Sequence, residues 1–509
     1  MLAIGEAPLS VRDVVRVARG RERIGLSEGA VGRMGASRAW IDKILESGQP
    51  VYGINTGFGE LSKIFIPHDK REELQRNLIL SHCAGVGEYL PEDVARAVML
   101  LRVNSLAAGY SGIRAETVAA LAELLNRGVC PAMPCKGSVG ASGDLAPLSH
   151  MAAVLLGEGV ALSGGSPVPA RRALEDAGLA PVRLAAKEGL ALINGTQVMT
   201  AIAALVCADA EELMKISDVA AALSLEALQG TRTAFDPRFA AIRAHPGHAA
   251  TARNVLRLTR DSVIIRNHAN CAKVQDAYSI RCAPQVHGAS KDALRRALEA
   301  IGAEMNAVTD NPVIMPDTGE IMSGGNFHGQ PVALVMDYLK VALAEIANIS
   351  ERRTSRLVDM HLSDLPMFLT SYPGVNSGFM ILQYTAASLV SENKVLAHPA
   401  SVDSIPTSAN QEDHVSMGTI AARQAREILD NARVVLAIEL IAAAQGIDFL
   451  APMSPGAGTA AAHARIRSAV AHLDEDRILA PDIAAVQGLI TGGSLLGAVE
   501  GAVGELEAV

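Results

Sequence analysis

Through most of this chain apolar positions recur at helical spacing, in runs too long for strands. Ala201 to Gln229 runs without Gly or Pro and meets its first breaker at Gly230. Ser290 to Asn306 follows, and Pro331 opens a stretch reaching about His361. Gly378 to Leu396 and Thr419 to Gln445 continue the pattern, the last expected to stop at Gly446. Helices this long predict a mainly α fold, a long-helix bundle core. The N-terminal part reads differently, with shorter helices over Pro91 to Ala108 and Ala115 to Asn126 separated by Gly-rich loops. The expected division is a loop-rich helical domain over residues 1–200 and a long-helix bundle domain over residues 201–509. Reactive groups are expected in the loops, where a rigid bundle fixes their positions.

Composition sharpens this picture. Of 509 residues 49% are hydrophobic but only 3% aromatic, so the core must be Ala, Leu, Val and Ile, which suits close helix packing. A net charge of −9 without a basic run argues against nucleic acid as a partner. Asp209, Glu211, Glu212, Lys215 and Asp218 break up the longest apolar run, which argues against a membrane partner. Met1 to Pro8 lacks the pattern of a secretory leader, so a cytoplasmic location is expected. The cysteines, Cys83, Cys130, Cys135, Cys207, Cys271 and Cys282, form no disulfide framework and read as reduced thiols. Cys130 and Cys135 are the one close pair and lack a second pair at zinc spacing, so no metal is expected.

One loop, Gly137-Ser138-Val139-Gly140-Ala141-Ser142-Gly143-Asp144, offers chemistry that no side chain supplies. If the Gly143 amide attacks the Ala141 carbonyl and Ser142 loses its hydroxyl, the tripeptide becomes a five-membered ring with an exocyclic methylidene, an electrophile for amines. Gly143 does not block the attack, Ser142 carries the leaving group, and flanking glycines permit the backbone strain. Alone, the tripeptide reads by default as an ordinary turn.

The stretch Gly137 to His150 resembles the cofactor loop of the aromatic amino acid ammonia-lyases, which build 4-methylidene-imidazol-5-one with no external cofactor. Further segments match that family in its order, from about Tyr52 to about Gln445. Val51 to Gly59 has neither dinucleotide nor Walker glycine spacing, and in the family this segment supplies a tyrosine base, matched by Tyr52. Glu188 to Thr196 carries Asn194, read by itself as a turn residue and, through the resemblance, as a contact to the amine and the ring. Gln275, Tyr278 and Arg281 stand at i, i+3 and i+6, so a helical turn would bring them near one face. Arg281 has the planar fork that suits an α-carboxylate. Asn306 to Pro312 and Ser323 to Gly329 read as helix-connecting loops, in which the resemblance puts Asn311 and Phe327 at the border of the active site.

His82 and Glu412 lie in segments similar to those of the histidine-specific members. An apolar pocket suits a phenyl ring but leaves the two nitrogens of an imidazole unpaired. The resemblance therefore implies elimination of ammonia from L-histidine to give trans-urocanate, the first step of histidine degradation. The implied catalytic set is Tyr52, the ring-forming Ala141, Ser142 and Gly143, Asn194 and Tyr278. His82, Gln275, Arg281, Asn311, Phe327 and Glu412 are implied to bind substrate. It further implies a homotetramer whose subunits share active sites. The alternatives are a phenylalanine or tyrosine ammonia-lyase or aminomutase using the same ring, a cofactor-free fumarase-type helical lyase, and a helical scaffold.

Overall fold

The computed structural model describes residues 1–47, 51, 54, 56, 64–268 and 274–509. The fold is mainly α, and the chain forms two compact units. The first comprises Met1–Ala208, Leu298–Asp337 and Pro399–Arg423; the second comprises Asp209–Ala297, Tyr338–His398 and Gln424–Val509.

The long helices fall close to where apolar spacing predicts them. They run Gln197–Ala227, Ala283–Glu304, Gln330–Val358, Met380–Leu396 and Gly418–Asp448. The stop expected at Gly446 does not occur. A Cβ there would lie 3.0 Å from the Ala227 Cβ and 3.1 Å from Leu365, so this glycine serves tight helix packing rather than termination. Gly288 has a similar role early in Ala283–Glu304, where a Cβ would come within 2.4 Å of the His248 backbone nitrogen.

In the first unit the helix Glu92–Ala107 is buried along almost its whole length. Three further helices, Arg71–His82, Leu145–Leu155 and Glu188–Ile193, pack on one another. Each delivers a candidate residue at an end: His82 closes the first, Asp144 is the N-cap of the second, and Asn194 is the C-cap of the third. Short strand pairs trim this unit. Leu2–Ile4 pairs in parallel with Ile24–Leu26, Val86–Tyr89 runs antiparallel to Pro134–Lys136, and Val160–Ser163 lies between Cys130–Pro131 and Ser166–Pro169. Among the described residues no single helix is long and apolar enough to cross a membrane.

Candidate active site

The Gly137–Asp144 loop is held from several sides within the first unit. Asp144 is fully buried, and its Oδ2 accepts the backbone N–H groups of Val198 (3.0 Å) and Met199 (2.9 Å) in the first turn of Gln197–Ala227. That carboxylate thus satisfies amides that a helix start leaves open. Its Oδ1 accepts from Ser138 Oγ at 2.9 Å and from the Thr419 hydroxyl. Burial raises the Asp144 carboxyl above its ordinary value, against the pull of these four donors. On the other side Met417 N–H donates to the Val139 carbonyl (2.9 Å) and Ser416 Oγ to that of Gly140 (3.1 Å), while Ala141 packs with Val415 and Met417.

Backbone geometry at the tripeptide requires a glycine at position 143. Gly143 has φ +72°, and a Cβ there would lie 2.0 Å from the Gly195 carbonyl oxygen, so a side chain is excluded. Gly195 N–H donates to the Ser142 carbonyl at 3.3 Å, and Asp144 N–H to the Gly195 carbonyl at 2.7 Å. Ser142 Oγ, the hydroxyl that would leave, donates to Glu412 Oε1 at 3.1 Å. Glu412 is fixed in turn by Thr407 Oγ1 on Oε2 at 2.7 Å. His82 Nδ1 donates to the Leu78 carbonyl at 2.8 Å and so carries a proton. Burial lowers the His82 pKa, opposed by the Leu78 hydrogen bond and the Glu412 charge.

Asn194 sits beside this group at 3% exposure. Its Nδ2 donates to the Asn311 carbonyl (2.9 Å) and to Asp310 Oδ1 (3.2 Å), while its Oδ1 is buried without a partner. Such an orphaned acceptor next to Ser142 fits an amine that brings an N–H. Arg102, which burial lowers to about 10, donates to the Asn194 carbonyl at 3.0 Å. Asn311 Oδ1 accepts from Gly324 N–H at 2.8 Å. Phe327 is half-buried, and the loop that carries it joins the Glu412 segment through a parallel stack of His328 on His414, centroids 5.7 Å apart. His328 Nε2 also lies 3.2 Å from the His414 carbonyl oxygen.

Gln275, Tyr278 and Arg281 belong to the second unit. They do not share one helical turn, because the helix here is only Tyr278–Arg281 and Gln275 precedes it. The Asp276 carboxylate accepts Thr231 N–H at 2.8 Å, and the helix starts only two residues later. Tyr278 and Arg281 do meet: the guanidinium carbon stands 4.6 Å from the phenol ring centroid. Arg281 Nε is buried without a partner. Tyr52 lies outside the described residues.

The structure adds residues that the sequence reading did not single out. Lys187 precedes the Asn194 segment and Asp310 precedes Asn311; both are fully buried and paired at 2.6 Å. Thr419, Ser138 and the two stacked histidines joined the site only through folding. Among the described residues no group of three or more His, Cys, Asp or Glu could hold a metal ion.

Residues 9–468 match the model of the aromatic amino acid lyase family. Over 507 residues the chain is 55% identical to the histidine ammonia-lyase of Gloeobacter violaceus, covering 99% of each chain. The crystal structure of histidine ammonia-lyase from Trypanosoma cruzi superposes with a TM-score of 0.92 at 43% identity, covering 99% of this chain and 95% of that one. The tyrosine aminomutase of Streptomyces globisporus superposes with a TM-score of 0.94 at 37% identity, covering 99% of this chain and 100% of that one.

Proposed function

The chain belongs to the aromatic amino acid lyase family, and within it we propose that it is a histidine ammonia-lyase, eliminating ammonia from L-histidine without oxidation to release trans-urocanate. The backbone alone does not choose the substrate, since a tyrosine aminomutase superposes as well as a histidine ammonia-lyase does. Side chains make the choice. The observation that carries it is the Glu412 carboxylate 3.1 Å from Ser142 Oγ, within electrostatic reach of His82. A phenyl ring would strand these polar groups, whereas the nitrogens of an imidazole pair with them. Each unmet pairing costs ~1–3 kcal/mol.

The difficulty of the reaction is to remove a barely acidic β-proton while expelling nitrogen. The 4-methylidene-imidazol-5-one derived from Ala141, Ser142 and Gly143 supplies an electrophile for the substrate amine. The remaining work falls to this chain's side chains. Tyr52 takes the β-proton, for which its phenolate needs stabilisation, because a free tyrosine ionises near pH ~10. Arg281 binds the α-carboxylate through paired donors, with Tyr278 against its guanidinium. Asn194 Oδ1 accepts from the amine, Tyr278 and Gln275 assist there, and Asn311 and Phe327 bound the site. Together these contacts fix the reacting groups before the proton moves. The working enzyme is a homotetramer whose subunits share each site.

Incubation with L-histidine, L-phenylalanine and L-tyrosine in parallel tests the assignment. Urocanate absorbance from histidine alone is expected; cinnamate or coumarate, or a β-amino acid, would overturn it in favour of the aminomutase or phenylalanine-type reading.

A further inference from the structure

The second unit contains a chain of buried ionic groups that the proposed chemistry does not use. Lys291, Asp218, His287, Arg353 and Glu439 are all fully buried and sit in one hydrogen-bonded line. Lys291 Nζ donates to Asp218 Oδ2 at 2.7 Å, and Asp218 Oδ1 lies 2.8 Å from His287 Nδ1. His287 Nε2 meets Arg353 Nη1 at 3.2 Å. Arg353 closes the line with a two-pronged contact to Glu439, Nε to Oε1 at 2.5 Å and Nη2 to Oε2 at 2.9 Å. With two cations, two anions and a neutral imidazole, the line has no net charge. Its partners fix the tautomer of His287: the Asp218 carboxylate only accepts, so Nδ1–H donates to it, and the Arg353 guanidinium only donates, so Nε2 accepts.

Every end of the line is tied off. Ser224 and Ser350 hydroxyls donate to the two Glu439 oxygens, each at 2.6 Å. Asn254 Nδ2 donates to Asp218 Oδ2 at 2.8 Å, and Lys291 Nζ also donates to the Glu507 carbonyl at 2.7 Å. A buried line of this kind is costly to assemble and gives little stability over an apolar core, which raises the question of what it specifies.

A further hydrogen bond ties the line to the Tyr278–Arg281 turn. Arg353 Nη1 donates to the backbone carbonyl of Ser279 at 3.4 Å, inside the single turn Tyr278–Arg281. That turn is too short to hold its own shape. It is anchored upstream by Asp276 on Thr231, and through Ser279 it is anchored on Arg353.

We propose that Arg353, oriented by the Asp218–His287 pair, is a positioning residue that sets the Tyr278–Arg281 turn and thereby aims the Arg281 fork at the carboxylate of the substrate. This rests on the reading of Arg281 given above. Arg353 and His287 touch no reacting atom; they act through the backbone of Ser279. Lys could replace the charge of Arg353 but not its fork, which reaches Glu439, His287 and Ser279 at once.

The test measures Arg353→Lys and His287→Gln in the full-length enzyme against two competitive inhibitors. Imidazole-4-propionate keeps the carboxylate; L-histidinol keeps the amine and the imidazole but lacks it. Displacing a binding group by about an ångström costs up to roughly a hundredfold. Arg353→Lys should therefore weaken imidazole-4-propionate and raise KM for L-histidine by about ten- to a hundredfold, with the Ki of L-histidinol nearly unchanged. His287→Gln keeps an acceptor facing Arg353 and should show the same pattern with a smaller loss; it carries the test if Arg353→Lys does not fold. Equal weakening of both inhibitors, or no weakening of imidazole-4-propionate, overturns the proposal. Absence of urocanate from the unmodified enzyme would instead overturn the reading on which it rests.

Discussion

Asp310 holds Lys187 on one carboxylate oxygen, Nζ to Oδ2 at 2.6 Å, and offers the other to Asn194 Nδ2 at 3.2 Å. Both amide protons of Asn194 are thereby used, the second on the Asn311 carbonyl, and its Oδ1 becomes the free face. A buried ion pair at this point decides which end of an amide faces the site. Burial lowers the Lys187 pKa, and the Asp310 charge opposes that shift.

Asp310→Ala should therefore do two separable things. Lys187 loses its counter-charge in a fully buried position, a loss typically of ~3–5 kcal/mol in unfolding free energy. Asn194 loses the acceptor that orients it, and kcat should fall. Adding Lys187→Met removes the stranded charge, so urea denaturation of the double variant should recover much of the stability while kcat stays low. Recovery of both would reduce the pair to a stability role.

Much of the bundle is legible because periodicity is a local property. Gln197–Ala227 and Met380–Leu396 lie within four residues of the expected bounds. Gly446 misleads because a glycine can mark either a helix end or a tight crossing, and only the packed neighbour Ala227 distinguishes them. The short strand pairs escape for a related reason: two to four residues carry too little alternation to register. At the site, Ser142 and Glu412 are individually readable, yet their contact spans 270 residues and exists only once the chain is folded. Lys187 and Asp310, 123 residues apart, are the same case. Gln275 does not share a helical turn with Arg281 because the helix starts only at Tyr278, after Asp276 has accepted the distant Thr231 amide.

The ring itself leaves a mass signature. Cyclisation and dehydration each release one water, so the intact chain should weigh two waters less than its translated sequence. Ser142→Ala keeps the hydroxyl-dependent step from occurring, so at least one water should return and the near-ultraviolet absorbance of the ring should be absent. An unmodified chain at full translated mass would end the cofactor assignment.

Substrate choice rests on Glu412. Glu412→Ala removes one of the groups that pair with the imidazole, a loss of ~1–3 kcal/mol, or about five- to 150-fold in kcat/KM for L-histidine. The same change makes the pocket less polar, so the ratio of phenylalanine to histidine turnover should rise. Measured steady-state rates on both substrates decide this, and an equal fall on both would mean that Glu412 serves the reaction centre and not the ring.

Acid sensitivity should be traceable to Asp218. Burial alone would raise its carboxyl, but Lys291 and His287 outweigh burial and hold it at about 2, below the ordinary 3.8. Because its pKa is lower in the folded chain, the unfolded chain binds more protons between the two values. The stabilisation is complete above about pH 4 and is lost as the pH falls toward about 2. Asp144 works in the opposite sense, since burial raises its carboxyl and protonation therefore favours the folded form. The overall acid transition mixes both, so a comparison of variants is needed to isolate one group. Asp218→Asn removes only the first term. The unfolding free energy lost in that variant should be largest near neutral pH and should shrink when denaturation is repeated near pH 3, because the unfolded wild-type chain then takes up a proton on this carboxyl that the folded chain does not. A gap of equal size at both pH values would mean that the hydrogen bonds of Asp218, and not its charge, hold Lys291 and His287 in line.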